Sequence, residues 1–297
     1  MKVTLIMTLM IMLGAKNVYQ TAGRRQNVKL TSSNYYGSKA SREYMSVSQF
    51  KDFMKCPAMA MAELNGTYER DFSKALLLGS YFDESLTGTK RSQQKFLFEN
   101  EKDIFKKTGG KYAEFIQADE TVALVEAQPV MMHYLSGRHQ KIMTGEIEGV
   151  PFKIRMDSYK RGEYIADLKY MASLRSPNLF EPMIKYWGYD IQAACYQEIV
   201  RQNTGEKLPF IFVVATKEKP AHLEVGKISQ WNMDEALETV RKNIKKFQAI
   251  KNGEIEAERC ENYNCDYCTT TKIIKEPIDT DLFGMSAAQI KSMRGEL

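Results

Sequence analysis

Asp157, Asp167 and Lys169 are the residues whose types and spacing best suit chemistry. Asp167 and Lys169 are two apart, so in a strand both project from the same face. Asp157 precedes them by little more than a turn and belongs on the neighbouring strand of a hairpin. Two acids and a lysine on a half-buried sheet are costly to desolvate without a further counter-charge, and a divalent cation would supply it. The residues alone leave two readings open: a solvated salt bridge on an exposed sheet face, or a metal-dependent site for attack of water on a phosphodiester.

The elements that must position these residues are read as follows. Residues 145–159 carry Ile147, Val150, Phe152, Ile154 and Met156 with charges interleaved, which predicts the first strand. Lys160-Arg161-Gly162-Glu163 is a polar turn, and residues 164–170 are the second strand. Upstream, residues 31–45 read as a lead-in loop, and Ser46-Val47-Ser48 opens a helix with Ser48 as N-cap. Residues 73–86 form an apolar helix with Asp83 and Glu84 near its end. Residues 90–112 are a charged loop or surface helix, and residues 118–143 a helix whose His133 and His139 are surface or packing residues. Downstream, residues 173–185 are a loop with Pro177 and Pro182. Residues 186–203 are a helix on which Gln192 and Tyr196, four apart, share a face. The continuous apolar run 209–216 predicts a strand buried on both faces, followed by a weaker strand over 222–228. Residues 233–252 are a basic amphipathic helix capped by Asn232, and residues 286–297 a short exposed helix.

Cys260, Cys265 and Cys268 give C-x4-C-x2-C, and such short spacings let several thiolates reach one ion or cluster. A fourth ligand is needed. Cys56, which starts a Cys-Pro step at a helix end, suits that place better than Cys195, which falls in the middle of a helix. The same pattern is also compatible with three reduced surface cysteines. In bulk the chain is ordinary: 297 residues, 43% hydrophobic, 27% charged and a formal net charge of +5. That composition fits a globular protein rather than a disordered or disulfide-framed one. The charge permits a nucleic-acid partner without requiring it. The apolar run over 1–13 is too short to span a membrane. It is compatible with a weak signal peptide, an ordinary element, or translation of sequence upstream of a true start at Val28.

Taken in order, a helix, an Asp-bearing hairpin with a D-x-K strand, and a Q-x3-Y helix resemble the PD-(D/E)XK nuclease superfamily. Within its RecB-like branch, the likeness is to phage and prophage exonucleases related to exodeoxyribonuclease VIII. The resemblance spans roughly residues 43–270. It implies an α/β restriction-endonuclease-like fold, a mixed central sheet flanked by helices. The nuclease domain would run over 28–285, after an extension at 1–27 and before a tail at 286–297. It implies Mg2+ or Mn2+ held by Asp83, Asp157 and Asp167, and catalysis by Asp157, Asp167 and Lys169 with Gln192 and Tyr196. Asp83 stands where the branch often has the His of a G-x3-H motif, with Glu84 as the fallback. Lys153, Arg155 and Lys217 are expected to contact DNA phosphates. Cys56, Cys260, Cys265 and Cys268 resemble a split four-cysteine iron–sulfur staple, a [4Fe–4S] cluster with Zn2+ as the alternative. Further expectations are action on double-stranded DNA ends in the bacterial cytoplasm, a single-strand annealing partner, a homo-oligomer and no membrane association. The competing readings are a RecB-like iron–sulfur nuclease serving a helicase or CRISPR system, and an inactive DNA-binding scaffold.

Overall fold

The computed structural model describes residues 28–71, 73–260 and 265–274, with isolated positions beyond. The 1–27 extension lies outside the described residues, as does nearly all of the expected helix over 286–297. The helices before the sheet are α1 (Ser38–Glu43), α2 (Val47–Lys55), α3 (Pro57–Leu64), α4 (Lys74–Thr87), α5 (Lys90–Glu99), α6 (Glu101–Ile104), α7 (Ala113–Glu126) and α8 (Pro129–Leu135). Strands β1 (Arg138–Ile147), β2 (Val150–Lys160) and β3 (Tyr164–Met171) follow. Next come α9 (Met183–Tyr186), α10 (Tyr189–Thr204), β4 (Phe210–Thr216), β5 (Leu223–Lys227), α11 (Gln230–Lys251) and α12 (Asp266–Thr270). The strands form one sheet in the order β1-β2-β3-β4-β5. It is antiparallel throughout except between β3 and β4, which run parallel because α9 and α10 cross between them.

Helices cover both sheet faces, which makes an α/β fold of three layers. Along β4 the apolar run divides by strand alternation. Phe210, Phe212 and Val214 pack with Phe50 and Phe53 of α2, Ala193 and Ile199 of α10, and Ile244 and Phe247 of α11. Val213 and Ala215 pack on the other side with Leu78 and Phe82 of α4, Phe115 of α7 and Leu135 of α8. Phe82 stacks on Tyr170 of β3 with ring centroids 4.0 Å apart, which docks the Asp83-bearing helix on the strand that carries Asp167 and Lys169.

Several boundaries differ from those expected. The helix foreseen over 118–143 stops at Leu135, and residues 138–144 belong to β1, where His139, Lys141 and Met143 alternate with Gln140, Ile142 and Thr144. The single strand foreseen over 145–159 is the end of β1, a turn, and β2. The turn is two residues, with Glu148 at φ 51 and Gly149 at φ 76 between the paired Ile147 and Val150. Positive φ at both centres matches the twist of a tight hairpin, and Gly149 adopts it without a Cβ clash. The lead-in is not all loop, because residues 38–43 form α1. Ser46 rather than Ser48 caps α2, accepting from Gln49 N. Ser229 rather than Asn232 caps α11. The helix foreseen from 186 begins at Tyr189, because Gly188 adopts φ 62 and closes α9 off from α10.

One feature of the sheet shapes the rest. The β2–β3 ladder runs from Lys160↔Tyr164 to Ser158↔Ala166 and then stops, so the two strands fork. Backbone groups inside a fork need other partners. Met45 supplies two: its N–H donates to Pro151 O (2.8 Å), and its carbonyl accepts from Lys153 N (2.8 Å). The Tyr196 hydroxyl, reaching in from α10, donates to Arg155 O at 2.9 Å. Tyr196 is itself buried. Tyr196→Phe removes that donor and leaves a buried carbonyl without it. The expected loss is about 1–3 kcal/mol of stability, measurable by urea unfolding; an unchanged midpoint would mean the hydroxyl does not hold the fork.

Candidate active site

The fork places the acidic residues. Asp157 sits where β2 leaves β3, and its Oδ2 accepts the Leu168 N–H at 3.0 Å in place of a ladder carbonyl. Asp167 and Lys169 lie on β3 opposite Phe212 and Val214 of β4. Lys169 Nζ stands 2.5 Å from Asp167 Oδ2. That ion pair is what holds the buried Oδ2. Gln192 ties the pair together from α10. Its Nε2 donates to Asp167 Oδ1 (2.6 Å), and its Oε1 accepts from Lys169 Nζ (3.0 Å). An amide offers a donor and an acceptor side by side in one plane, which is what a carboxylate and an ammonium side by side require.

Asp83 reaches the cluster from the opposite layer. Its Oδ1 accepts from Thr87 Oγ1 (3.0 Å), and its Oδ2 accepts from Gln140 Nε2 (3.2 Å). Glu84 is one residue further round α4, and its buried Oε1 makes no hydrogen bond. Asp83 is the carboxylate that shares a field with Asp157 and Asp167. Burial first, then Asp167 and Asp83, push Asp157 well above the usual carboxylate range. Asp83 is raised by burial and by Asp167, against lowering contributions from Thr87 and Arg155. Burial pulls Lys169 down, but Asp167 and Asp157 outweigh it and leave its ammonium harder to deprotonate than an ordinary lysine. Asp83, Asp157 and Asp167 act on one another in a field that Lys169, Arg155 and Lys51 also enter. Carboxylate oxygens of this kind suit a hard divalent cation; among the described residues, the group whose ligand atoms already lie within 4.8 Å of one another is the four cysteines described below, not these acids.

The other expected residues are placed differently from one another. Arg155 flanks the site, its guanidinium over the exposed Tyr36 ring (4.6 Å to the centroid) and its Nη2 donating to the Tyr36 hydroxyl at 2.6 Å. Lys217 follows β4 and holds its ammonium over the Tyr170 ring at 5.3 Å. Lys153 does not face outward as expected: it is buried, and its Nζ donates to Tyr35 O at 2.5 Å. Burial lowers it to about 8. The reason is the segment before α2, whose Tyr35 carbonyl and ring and Ser41 hydroxyl meet the ammonium. Tyr196 braces the backbone of β2 rather than the carboxylates. His133 is a packing residue against Tyr134 and Tyr164, and exposed His139 meets Asp157 through its backbone carbonyl. Gln140 was missed. A glutamine in a strand carries no motif, and only the folded register brings it to Asp83.

The second cluster lies at the far side of α2. Cys56, Cys260, Cys265 and Cys268 bring their sulfurs within 4.8 Å of one another. Cys56–Cys268 is 3.5 Å and Cys260–Cys265 is 3.6 Å. Cys56 caps α3 and Cys265 caps α12, each thiol accepting a backbone N–H at 3.4 Å. Helix N-termini favour the thiolate. Four thiolates around one Zn2+ at ~2.3 Å would sit ~3.8 Å apart, close to these spacings. A four-iron cluster gives each thiolate its own iron and spreads the sulfurs wider. Cys195 is buried in α10, with its thiol pushed up by burial, and takes no part.

A mixed sheet with helices on both faces, a forked hairpin with an aspartate at the fork, and a D-x-K strand beside it define the class: a restriction-endonuclease-like PD-(D/E)XK nuclease fold. Residues 46–271 match the family of PDDEXK-like domains of unknown function (DUF3799), and the chain belongs to that family. It is also similar, at 42% identity and a TM-score of 0.80, to a crystal structure from Eubacterium rectale whose protein is provisionally named an exonuclease. That match covers 86% of this chain and 99% of the other. None of the curated proteins matches the chain. Among the described residues no helix is long and apolar enough to cross a membrane.

The electrostatics generate a prediction for the metal-free protein. A carboxylate raised by folding binds more protons folded than unfolded between its two pKa values. Stability is therefore greatest at mildly acidic pH and falls as pH rises through the raised folded value. Asp157→Asn keeps an oxygen for Leu168 N–H but carries no charge. It should flatten this fall and raise the melting temperature in EDTA at pH 7, by roughly 2–4 °C for each kcal/mol of repulsion relieved. Added Mg2+ should stabilise the wild type and not the variant. Melting curves in EDTA from pH 5 to 8 test this, and a variant less stable than wild type at pH 7 would contradict it.

Proposed function

We propose that this chain is a divalent-cation-dependent exonuclease that hydrolyses phosphodiester bonds from double-stranded DNA ends. The observation that carries the reading is the mutual electrostatic influence of Asp83, Asp157 and Asp167, with Lys169 ion-paired to Asp167 on the same strand. A Mg2+ or Mn2+ ion held by those three carboxylates would neutralise the scissile phosphate and lower the pKa of water. Lys169 orients or deprotonates the attacking water and stabilises the charge developing on phosphate. Gln192 fixes Asp167 and Lys169 relative to each other, so neither reorganises during the step. Arg155 and Lys217 are the phosphate contacts that the fold leaves near the site. Buried Lys153 is withdrawn from that role.

The finer parts of the reading are supported by the resemblance in the D-x-K and Q-x3-Y motifs and by the name borne by the E. rectale relative. They comprise action at duplex ends, a phage or prophage recombination setting in the bacterial cytoplasm, a single-strand annealing partner and a homo-oligomer. Digestion of end-labelled linear duplex with Mg2+ tests the action at duplex ends. The wild type should release label progressively from ends and spare a closed circle. Asp167→Ala and Lys169→Ala should each lower the rate by about 10²–10⁴-fold. Equal cutting of circles would overturn the exonuclease reading, and tight binding without cleavage would favour the scaffold.

For the cysteine cluster, the spacing of the sulfurs favours a single tetrahedral ion over an iron–sulfur cluster, and we assign it to structural Zn2+. Purified protein should be colourless with one zinc per chain by elemental analysis. Cys265→Ser should lose the metal and lower the melting temperature, while Cys195→Ser keeps it. A brown protein with stoichiometric iron and sulfide would refute the assignment.

A further inference from the structure

Gln140 occupies an unusual place in β1. In the β1–β2 register the ladder pairs on either side are His139↔Ser158 and Lys141↔Met156, which sets Gln140 opposite Asp157, where no ladder pair forms. Its backbone is left-handed, at φ 51, in the interior of a strand. That conformation is strained for a residue with a Cβ, and no turn there calls for it. The distortion has a result: the side chain leaves the sheet and reaches α4, where Nε2 donates to Asp83 Oδ2 at 3.2 Å. The amide oxygen, Oε1, is buried and has no hydrogen-bond partner.

We propose that Gln140 is a positioning residue of the metal site, fixing the Asp83 carboxylate to the sheet so that it meets Asp157 and Asp167 around one cation. This rests on the cation site proposed above. Asp83 rides on a helix in a different layer from the other two carboxylates, and its Oδ1 partner, Thr87, is on that same helix. The Gln140 amide links it across the layers to the strand next to Asp157. An amide suits this task better than a cationic donor: it orients the carboxylate without neutralising it, so the negative charge stays available to a metal ion. Because a carboxylate only accepts, the nitrogen must face Asp83, and the free oxygen adds to the oxygen-rich lining. Partners that hold a metal ligand in this way typically affect metal affinity by about 10–100-fold when removed.

Gln140→Gly separates this role from a backbone one, since glycine suits φ 51 but has no amide. Mn2+ binding to the full chain, with its cysteine site loaded, is followed by the electron paramagnetic resonance signal of free Mn2+. The expected result is an affinity about 10–100-fold weaker than wild type, with a melting temperature, measured without added Mn2+ or Mg2+, equal to or above wild type. Gln140→Asn also tolerates a left-handed backbone but is one methylene short of Asp83. It should weaken Mn2+ equally, and it carries the test if the glycine variant folds poorly. Wild-type affinity in both variants would overturn the role of Gln140 while leaving the cation site standing. A wild type that binds no more Mn2+ than Asp157→Asn would overturn the cation site and this inference together.

Discussion

The hydrogen bond from Leu168 N–H to the Asp157 carboxylate is the interaction on which the site depends. Two antiparallel strands normally continue to pair until a turn or an edge intervenes. Here β2 and β3 separate after three pairs, and a side-chain carboxylate takes the place of the next backbone acceptor. One Asp157 oxygen is thereby committed to structure, leaving the other for chemistry. Every other support follows from that opening. Met45 fills one arm of the fork, Tyr196 braces the same arm further along, and Gln192 holds the D-x-K pair on the opposite arm. The two polar residues of the Q-x3-Y helix, one turn apart, address the two arms of the fork.

The arrangement is costly to the fold. Burial of Asp83 and Asp157 opposes their ionisation, and the protein concentrates that opposition where two helical layers meet the sheet. A core built for stability alone would place apolar side chains there. Strain at Gln140, charge repulsion at Asp83 and Asp157, and the interrupted ladder lie within a few residues of one another, as expected where function overrides local preference. The rest of the core is apolar and regular, with β4 buried on both faces.

The parts legible in the sequence were those with a local physical signature. Asp167 and Lys169 share a face because strands alternate, Gln192 and Tyr196 because helices repeat near four, and the run 209–216 could only be a strand enclosed by two layers. The trailing cysteines announced themselves by spacing. What was missed is non-local or depends on backbone detail. Residues 136–143 continue the apolar spacing of the preceding helix, and Lys141-Ile142-Met143 suits either period, so β1 was hidden until it paired with β2. The Glu148-Gly149 turn was a usable signal, since an acidic residue before glycine between β-rich runs marks a tight hairpin. Lys153 faces inward because of the segment before α2, more than a hundred residues away, and Gln140 finds Asp83 through tertiary packing alone.

The cysteine cluster also orders events during synthesis. Cys56 and Cys268 are 212 residues apart, and every carboxylate of the site lies between them. The strands and α10 can leave the ribosome and begin to pack, but the sulfur tetrahedron cannot close until its last member has emerged. A truncated chain that already carries Asp83, Asp157, Asp167 and Lys169 would still lack the clasp that joins its earliest helices to its last.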